Sequence, residues 1–244
     1  NNFFASVMTT EVPMIETIPI ADPRCEDAIF DVHFTPTMVR NKIIKLKAKK
    51  GSGPDRIHVN VLRNIPDLDV PLGIIFNLSL QTGIVPQDWK DAHITPLHKK
   101  GARNICSNYR PVSLTSQVVK IFERLVLDAI LDHLNKNNII SCEQHGFQKK
   151  CSCVTNLLES LSDWVKLTDS GNSVDILYLD YAKAFDSVPH ERLLYKLDYY
   201  GVRGKIKNWI AAFLSGRRQR VLLRNGTSTW ENVTSGVQIG RAHV

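Results

Sequence analysis

Residues 174–186, Val-Asp-Ile-Leu-Tyr-Leu-Asp-Tyr-Ala-Lys-Ala-Phe-Asp, constrain this chain more than any other stretch. Five of the first six are apolar or aromatic, which predicts a buried strand. The strand closes on Asp180, and Asp186 follows after a short turn. Period-two geometry puts Ile176, Tyr178 and Asp180 on one face and Leu177 and Leu179 on the other. A carboxylate at the tip of a buried strand is costly to desolvate without a cation beside it. Where the strand opens into a cleft, that cation is commonly a divalent metal. Taken alone, a strand-end Asp more often caps a turn, and Phe185, one short turn on, more often packs in a core.

The 244 residues suffice for one large domain or two small ones, and 43% hydrophobic with 23% charged residues is the balance of a folded soluble protein. No uninterrupted apolar run is long enough to span a membrane. No secretory leader is read, and a chain opening on Asn1 is expected to begin at a fragment edge. A net charge of +7 suits a polyanion, with nucleic acid the first choice over a protein that is merely basic. Cys25, Cys106, Cys142, Cys151 and Cys153 form no C-x-x-C pair, so zinc is not expected and a reducing compartment is.

Periodicity predicts a helix capped by Thr37 with Val39, Ile43 and Leu46 on one face, ended by Gly51. A turn follows at 51–55, and a second helix covers Leu72 and Leu80 and stops near Gly83. A strand over 92–97 leads into the basic turn His98-Lys99-Lys100-Gly101. Val118, Ile121, Leu125 and Ala129 mark a long helix, and Val154, Leu157, Leu158, Leu161, Trp164 and Val165 another. Pro189 opens a helix with Leu193, Leu194 and Leu197 inward until Gly201, and Ile206, Trp209, Ile210 and Phe213 repeat the pattern. Asn225-Gly226 is a hairpin signal between 220–224 and 227–230. The class is α+β.

Lys99, Lys100, Arg103 and Arg110 put cations on a strand-turn-strand tip, which could fold over a triphosphate or simply be a solvated basic loop. Arg217, Arg218 and Arg220, with Arg224, offer a second cationic face able to contact phosphates without reading bases. The lysines of 45–50 read as the wet face of a helix.

Six motifs in order carry a resemblance: 53–57 (Gly-Pro-Asp-Arg-Ile), 89–101, 108–115 (Asn-Tyr-Arg-Pro-Val-Ser-Leu-Thr), 144–147 (Gln-His-Gly-Phe), 178–185, and 234–237 (Thr-Ser-Gly-Val). Together they resemble the reverse transcriptase of non-LTR, LINE-type retrotransposons, closest to the jockey-related branch. The resemblance implies the fingers and partial palm of a right-hand polymerase, with the thumb and second half of the palm missing. It divides the chain into an upstream linker (1–36), a mainly helical fingers-like region (37–170), a partial palm with the first catalytic motif (171–237) and a tail (238–244). It implies DNA synthesis on an RNA template, by attack of a DNA primer 3′-hydroxyl on the α-phosphate of a deoxynucleoside triphosphate. Two Mg²⁺ ions, or Mn²⁺ in their place, would serve the displacement. By the resemblance Asp180 is the catalytic acid and metal ligand, and the Tyr181 backbone carbonyl helps hold the nucleotide-side metal. Phe185 stacks under the sugar and excludes a 2′-hydroxyl, while Arg110 with Lys99 or Lys100 holds the triphosphate. His145, Gly146 and Phe147 fall in the motif that supports template and incoming base.

Two departures stand out. Gln148 and Cys151 replace an Arg and part of a basic-Ser pair after the Gly-Phe of the fourth motif. After Ser-Gly-Val the family reads Pro-Gln-Gly, an apolar run and a strand with paired aspartates, whereas here Gln-Ile-Gly-Arg-Ala-His-Val follows. That tail is read as foreign sequence, one frame of a sequencing adapter, with Gln238 where the family has proline. Without the paired acids the expected site is incomplete and the chain inactive alone. The competing reading is a non-catalytic nucleic-acid-binding remnant of a retroelement. Either would work inside the cell, in nucleus or cytoplasm, and not be secreted or membrane-bound.

Overall fold

The computed structural model describes residues 1–9, 25, 27–48 and 51–237. The 238–244 tail, Lys49 and Lys50 of the basic run, and most of the segment before Cys25 lie outside the described residues. The chain divides into two units, one of 1–133 with 183–244 and one of 134–182.

Nine helices among the described residues follow chain order: α1 (Asn2–Ala5), α2 (Pro36–Ile44), α3 (Val59–Asn64), α4 (Asp69–Thr82), α5 (Gln87–Lys90), α6 (Gln117–Lys136), α7 (Cys153–Asp169), α8 (His190–Tyr199) and α9 (Gly204–Leu214). The strands are β1 (Asp91–His98), β2 (Tyr109–Leu114), β3 (Arg218–Leu223), β4 (Gly226–Thr227) and β5 (Glu231–Asn232). Helices and one sheet thus mix as expected. Thr35, not Thr37, caps α2: its hydroxyl accepts from the Met38 amide and Pro36 takes the first helical position, where no amide partner is needed. α4 stops at Gly83, whose left-handed φ of 69° returns its amide to the Ser79 carbonyl. Ser116 starts α6 by accepting from the Val118 and Val119 amides.

In the first unit the core gathers around Phe122. Its ring stacks on Phe76 at 4.7 Å and meets Phe34, Trp89 and Trp209 at 5.5, 5.9 and 4.5 Å. These rings come from the chain ahead of α2 and from α4, α5, α6 and α9, so one residue ties five segments together. The Trp209 indole N–H donates to Ser79 Oγ at 3.0 Å, and that hydroxyl donates to the Ile84 carbonyl. A buried indole is therefore satisfied without water. Asn77 clamps the Phe34 backbone, accepting from its amide and donating to its carbonyl.

β1 is the centre of the sheet. It pairs antiparallel with β2 and parallel with β3, and β4 and β5 both return antiparallel along β3. Ala92 and Ile94 of β1, and Gln219 and Val221 of β3, face the core. Alternation sends Asp91, His93, Thr95 and Leu97 of β1 to the other face, with Arg218 and Arg220 of β3 and Arg110 and Val112 of β2 opposite them. The hairpin turn falls at 224–225, with Gly226 already paired to Leu223, one residue before the Asn-Gly signal.

In the second unit α7 carries a reciprocal capping box between Ser152 and Thr155. Its apolar residues Val154, Leu157, Leu158, Leu161 and Val165 are exposed, contrary to the packed stripe the periodicity predicts. The predicted buried strand is not formed either. Residues 174–180 have no regular structure, and Leu177 and Leu179 are each 81% exposed. A strand needs a partner for its amides and carbonyls, and no strand among the described residues pairs with this one. No helix among the described residues is long and apolar enough to cross a membrane.

Phe122→Ala should destabilise the chain by about 3–5 kcal/mol, because it empties the point where five segments meet. Urea unfolding measures this, and a loss under about 1 kcal/mol contradicts the role given to the ring.

Candidate nucleotide and nucleic-acid site

Lys99 and Lys100 begin the loop between β1 and β2, and Arg110 lies on β2 opposite Leu97. The loop is ordered from within. The Lys99 amide donates to the Asn108 carbonyl, Asn108 Nδ2 to Ala102, and the Tyr109 hydroxyl to Arg103. Gly101 has φ 81°, and a Cβ there would stand 2.7 Å from Asn108 Nδ2. All three predicted cations are exposed and enter no salt bridge among the described residues.

Phe185 and Asp186 follow a turn in which the Asp186 and Ser187 amides return to the Lys183 carbonyl. Ser235, Gly236 and Val237 dock on this turn. Ser235 Oγ donates to the Asp186 carbonyl at 2.9 Å, the Val237 amide to Phe185 at 2.8 Å, and the Gly236 amide to Val188 at 2.8 Å. His190 Nε2 bonds the Gly236 carbonyl. Gly236 has φ 89°, and a Cβ would lie 2.8 Å from the Asp186 oxygen, so only glycine fits. Two predicted motifs about fifty residues apart are thereby held backbone to backbone. Phe185 remains 45% exposed. Burial raises the Asp186 carboxyl above the ordinary range, against the pull of Lys183 and Lys99. The charge of Lys99 therefore bears on the Asp186 carboxyl, a coupling that no sequence spacing announces.

Gly53 makes a similar close approach. A Cβ there would lie 2.4 Å from the Ser116 amide and 2.5 Å from the Thr115 carbonyl carbon. The first and third predicted motifs are thus in backbone contact. The following turn closes from the Arg56 amide to Gly53 O, with Ile57 N bonding Asp55 Oδ1.

His145, Gly146, Phe147, Asp180 and Tyr181 belong to the second unit. The His145 side chain is 7% exposed, with Nδ1 3.1 Å from Thr155 Oγ1 and Nε2 2.9 Å from Glu159 Oε2. It fastens its loop to the first turns of α7 rather than facing a ligand. Phe147 stands 72% exposed at φ 63°, and Gly146 beside it is exposed. Asp180 and Tyr181 are exposed in irregular backbone.

The second cationic face needs correction. Arg217 is 2% exposed, under the Phe213 ring, so it cannot meet a phosphate. Alternation back from the buried Val221 and Gln219 puts Arg217 inside, a signal that counting charges alone overlooks. Arg218 gives both arms of its fork to Asp91, at 3.0 and 2.7 Å, and is already neutralised. Among the described residues Arg220 is the one of the three that is neither buried nor paired with an acid. Burial lowers the Arg217 pKa, and burial raises that of Glu123, whose first opposing influence is Arg217. This electrostatic coupling is not legible in the sequence, since Glu123 lies on α6, far away along the chain.

Gly236→Ala should loosen the docked motifs and cost about 1–3 kcal/mol, read by urea unfolding, with the 183–187 and 235–237 amides losing hydrogen-exchange protection first. The raised Glu123 carboxyl holds its proton longer in the folded chain than in the unfolded one. Its contribution to stability therefore falls as pH rises from its ordinary value of 4.5 through the folded value. Glu123→Gln should flatten the decline of stability with pH over that window. An unchanged slope in denaturant midpoints contradicts the assignment.

The family described as reverse transcriptase (RNA-dependent DNA polymerase) matches residues 97–242. The chain is 28% identical over 238 residues to the probable RNA-directed DNA polymerase from transposon BS of Drosophila melanogaster, covering 94% of this chain and 24% of that protein. It is 34% identical over 160 residues to the RNA-directed DNA polymerase from mobile element jockey of the same fly, covering 65% of this chain and 18% of that one. A retrovirus-related Pol polyprotein from the type-1 retrotransposable element R2 of Nasonia vitripennis is 22% identical over 201 residues, covering 82% and 19%. The chain therefore spans about a quarter or less of the length of these relatives. Six ordered motifs, two of them docked on backbone that admits only glycine, and a family match over more than half its length make this chain a member of the reverse transcriptase family, related to the polymerases of non-LTR retrotransposons.

Proposed function

We propose that the chain is the part of an RNA-directed DNA polymerase that holds the incoming deoxynucleotide and the template beside a DNA primer. The observation that carries this reading is the docking of Phe185 and Asp186 on Ser235-Gly236-Val237, where the charge of Lys99 also bears on Asp186. A fixed aromatic edge within the field of a cation suits a sugar and its triphosphate. In this reading Lys99, Lys100 and Arg110 neutralise the phosphates and Phe185 packs under the sugar.

The family chemistry is an in-line displacement at the α-phosphate, in which two Mg²⁺ or Mn²⁺ ions stabilise the attacking and leaving oxygens. The residues described do not fit such a pair of ions by themselves. Among them, no three of His, Cys, Asp and Glu gather where a metal could be held. One carboxylate, Asp180, and the Tyr181 carbonyl are too few for hard cations that take six or more oxygens, even with water filling several places. The role we give this chain's own residues is therefore binding and orientation, and we assign the chain by itself no polymerase activity. The shortage of donors is also the observation that favours the second reading, a non-catalytic nucleic-acid-binding remnant. Both place the chain inside the cell.

Primer extension on a primed RNA template with deoxynucleotides and Mg²⁺ tests this. The purified chain should bind the template–primer and extend it no more than its Asp180→Ala variant does. Extension that Asp180→Ala abolishes would overturn the inactivity. Absence of any nucleic-acid binding would overturn the polymerase reading and its non-catalytic alternative together.

A further inference from the structure

The solvent face of the sheet carries a group of side chains to which the family resemblance assigns no role. His93 and Arg220 are paired across the parallel β1–β3 ladder, and Arg220 Nε donates to His93 Nε2 at 3.0 Å. An imidazole that accepts at Nε2 keeps its proton at Nδ1 and is neutral. Burial and the neighbouring charges of Arg220 and Arg56 hold it so, against Asp91. Trp230 covers the pair. The Arg220 guanidinium lies 4.4 Å and that of Arg218 5.1 Å from the centre of its ring, and the His93 ring is 6.0 Å away and tilted by 29°.

The charge balance of this face is one-sided. Its acid, Asp91, is consumed by Arg218 on both oxygens and by Gln87 Nε2 at 2.7 Å. Arg220 keeps both Nη groups without a hydrogen-bond partner among the described residues, and Arg56 is exposed and without an acid. The 53–57 turn that carries Arg56 is pressed by Gly53 against Thr115 and Ser116, just beyond Leu114, the β2 partner of His93, and the Arg56 charge bears on the imidazole. A guanidinium held over an indole, with Nε already oriented by an imidazole, has little rotamer freedom left to lose on meeting an anion. Thr95 and Leu97 continue the same face toward Arg110 on β2. Four residues of extended strand separate His93 from Leu97, roughly 13 Å, or about two phosphates of an extended strand.

We propose that Arg220, His93, Trp230 and Arg56 form a binding site for the phosphodiester backbone of single-stranded RNA, on the sheet face that ends at Arg110. Arg220 and Arg56 meet the phosphates. His93 and Trp230 are positioning residues that hold the Arg220 fork. The site reads no base. The inference rests on the reading of this chain as part of a polymerase with an RNA template.

Fluorescence anisotropy of the 244-residue chain with a labelled twelve-nucleotide RNA, titrated between 50 and 200 mM salt, tests it. On single strands each phosphate contact contributes a slope of about 0.7 in log affinity against log salt, equivalent to about fivefold at 0.1 M relative to 1 M. Arg220→Gln and Arg56→Gln should each weaken binding by about that factor and lower the slope by about 0.7, equally for mixed-sequence and polyuridine strands. Arg63→Gln, on the exposed side of α3, serves as the reference for loss of one remote charge. Trp230→Leu should weaken binding several-fold with the salt slope retained, and Trp230→Phe should recover part of the loss. Wild-type affinity and slope in both arginine variants would overturn the site, as would losses no larger than that of Arg63→Gln. If Arg220→Gln fails to fold, Arg56→Gln decides alone, because its side chain is exposed on a turn. A wild-type chain that binds no RNA would overturn both this site and the polymerase reading. Binding of the wild type with unaffected variants would overturn this site only.

Discussion

The parallel ladder between β1 and β3 decides which cations of this chain can meet a ligand. Its register places Asp91 beside Arg218 and His93 beside Arg220, and the pleat turns Ala92, Ile94, Gln219, Val221 and Arg217 to the core. The three arginines of 217–220 therefore have three different fates. Arg217 is buried and electrostatically coupled to Glu123, Arg218 is neutralised by a bidentate acid, and Arg220 stays available. A slip of one residue would exchange the two faces and put Arg218 and Arg220 inside. Parallel pairing needs a long connection between the strands, and here it includes α6, α8 and α9.

Distant motifs are joined by glycine backbone rather than by side chains. Gly53 against Thr115–Ser116 and Gly236 against Phe185–Asp186 each bring main chain to main chain at separations that a Cβ would forbid. Such contacts hold position closely because the peptide units have few alternative conformations, whereas a salt bridge between long side chains at the surface would slide. That rigidity matters where an aromatic edge and a cation must be set against one small ligand.

Most helices are legible from their apolar residues: α4 falls where Leu72 to Leu80 predict a helix, and α6, α8 and α9 where Ile121, Leu197 and Trp209 predict inward faces. α3 and α5 are not, being too short to show a period. The cap of α2 was misplaced because Thr35 and Thr37 both precede the stripe, and only Pro36 at the first helical position separates them. Residues 174–180 and α7 show a different failure. Apolar sequence states that a segment is suited to burial, not that the same chain supplies the cover. Their exposed Leu177, Leu179, Leu157 and Leu161 are instances of that difference. At the candidate site, the residue types at Lys99, Arg110, Phe185 and Gly236 were readable. The His93–Arg220–Trp230 group was not, because it depends on strand register and on β5 returning beside β3.

Binding and chemistry make unequal demands on such a chain. Phosphate recognition needs only cations with low reorganisation and no competing acid, and the sheet face supplies these from strand pairing and one indole. Phosphoryl transfer also needs several hard oxygens converging on an ion, and convergence is a property of several segments at once. Asp186 illustrates the gap. It lies within the influence of Lys99 and Lys183, yet desolvation still raises its carboxyl, so those cations only partly offset the loss of water. Cations arranged to receive phosphate therefore do not substitute for a metal, because they attract the substrate equally before and during the transfer. Tight binding by these residues would lower the free energy of the bound nucleotide and the transition state together, leaving the barrier between them unchanged.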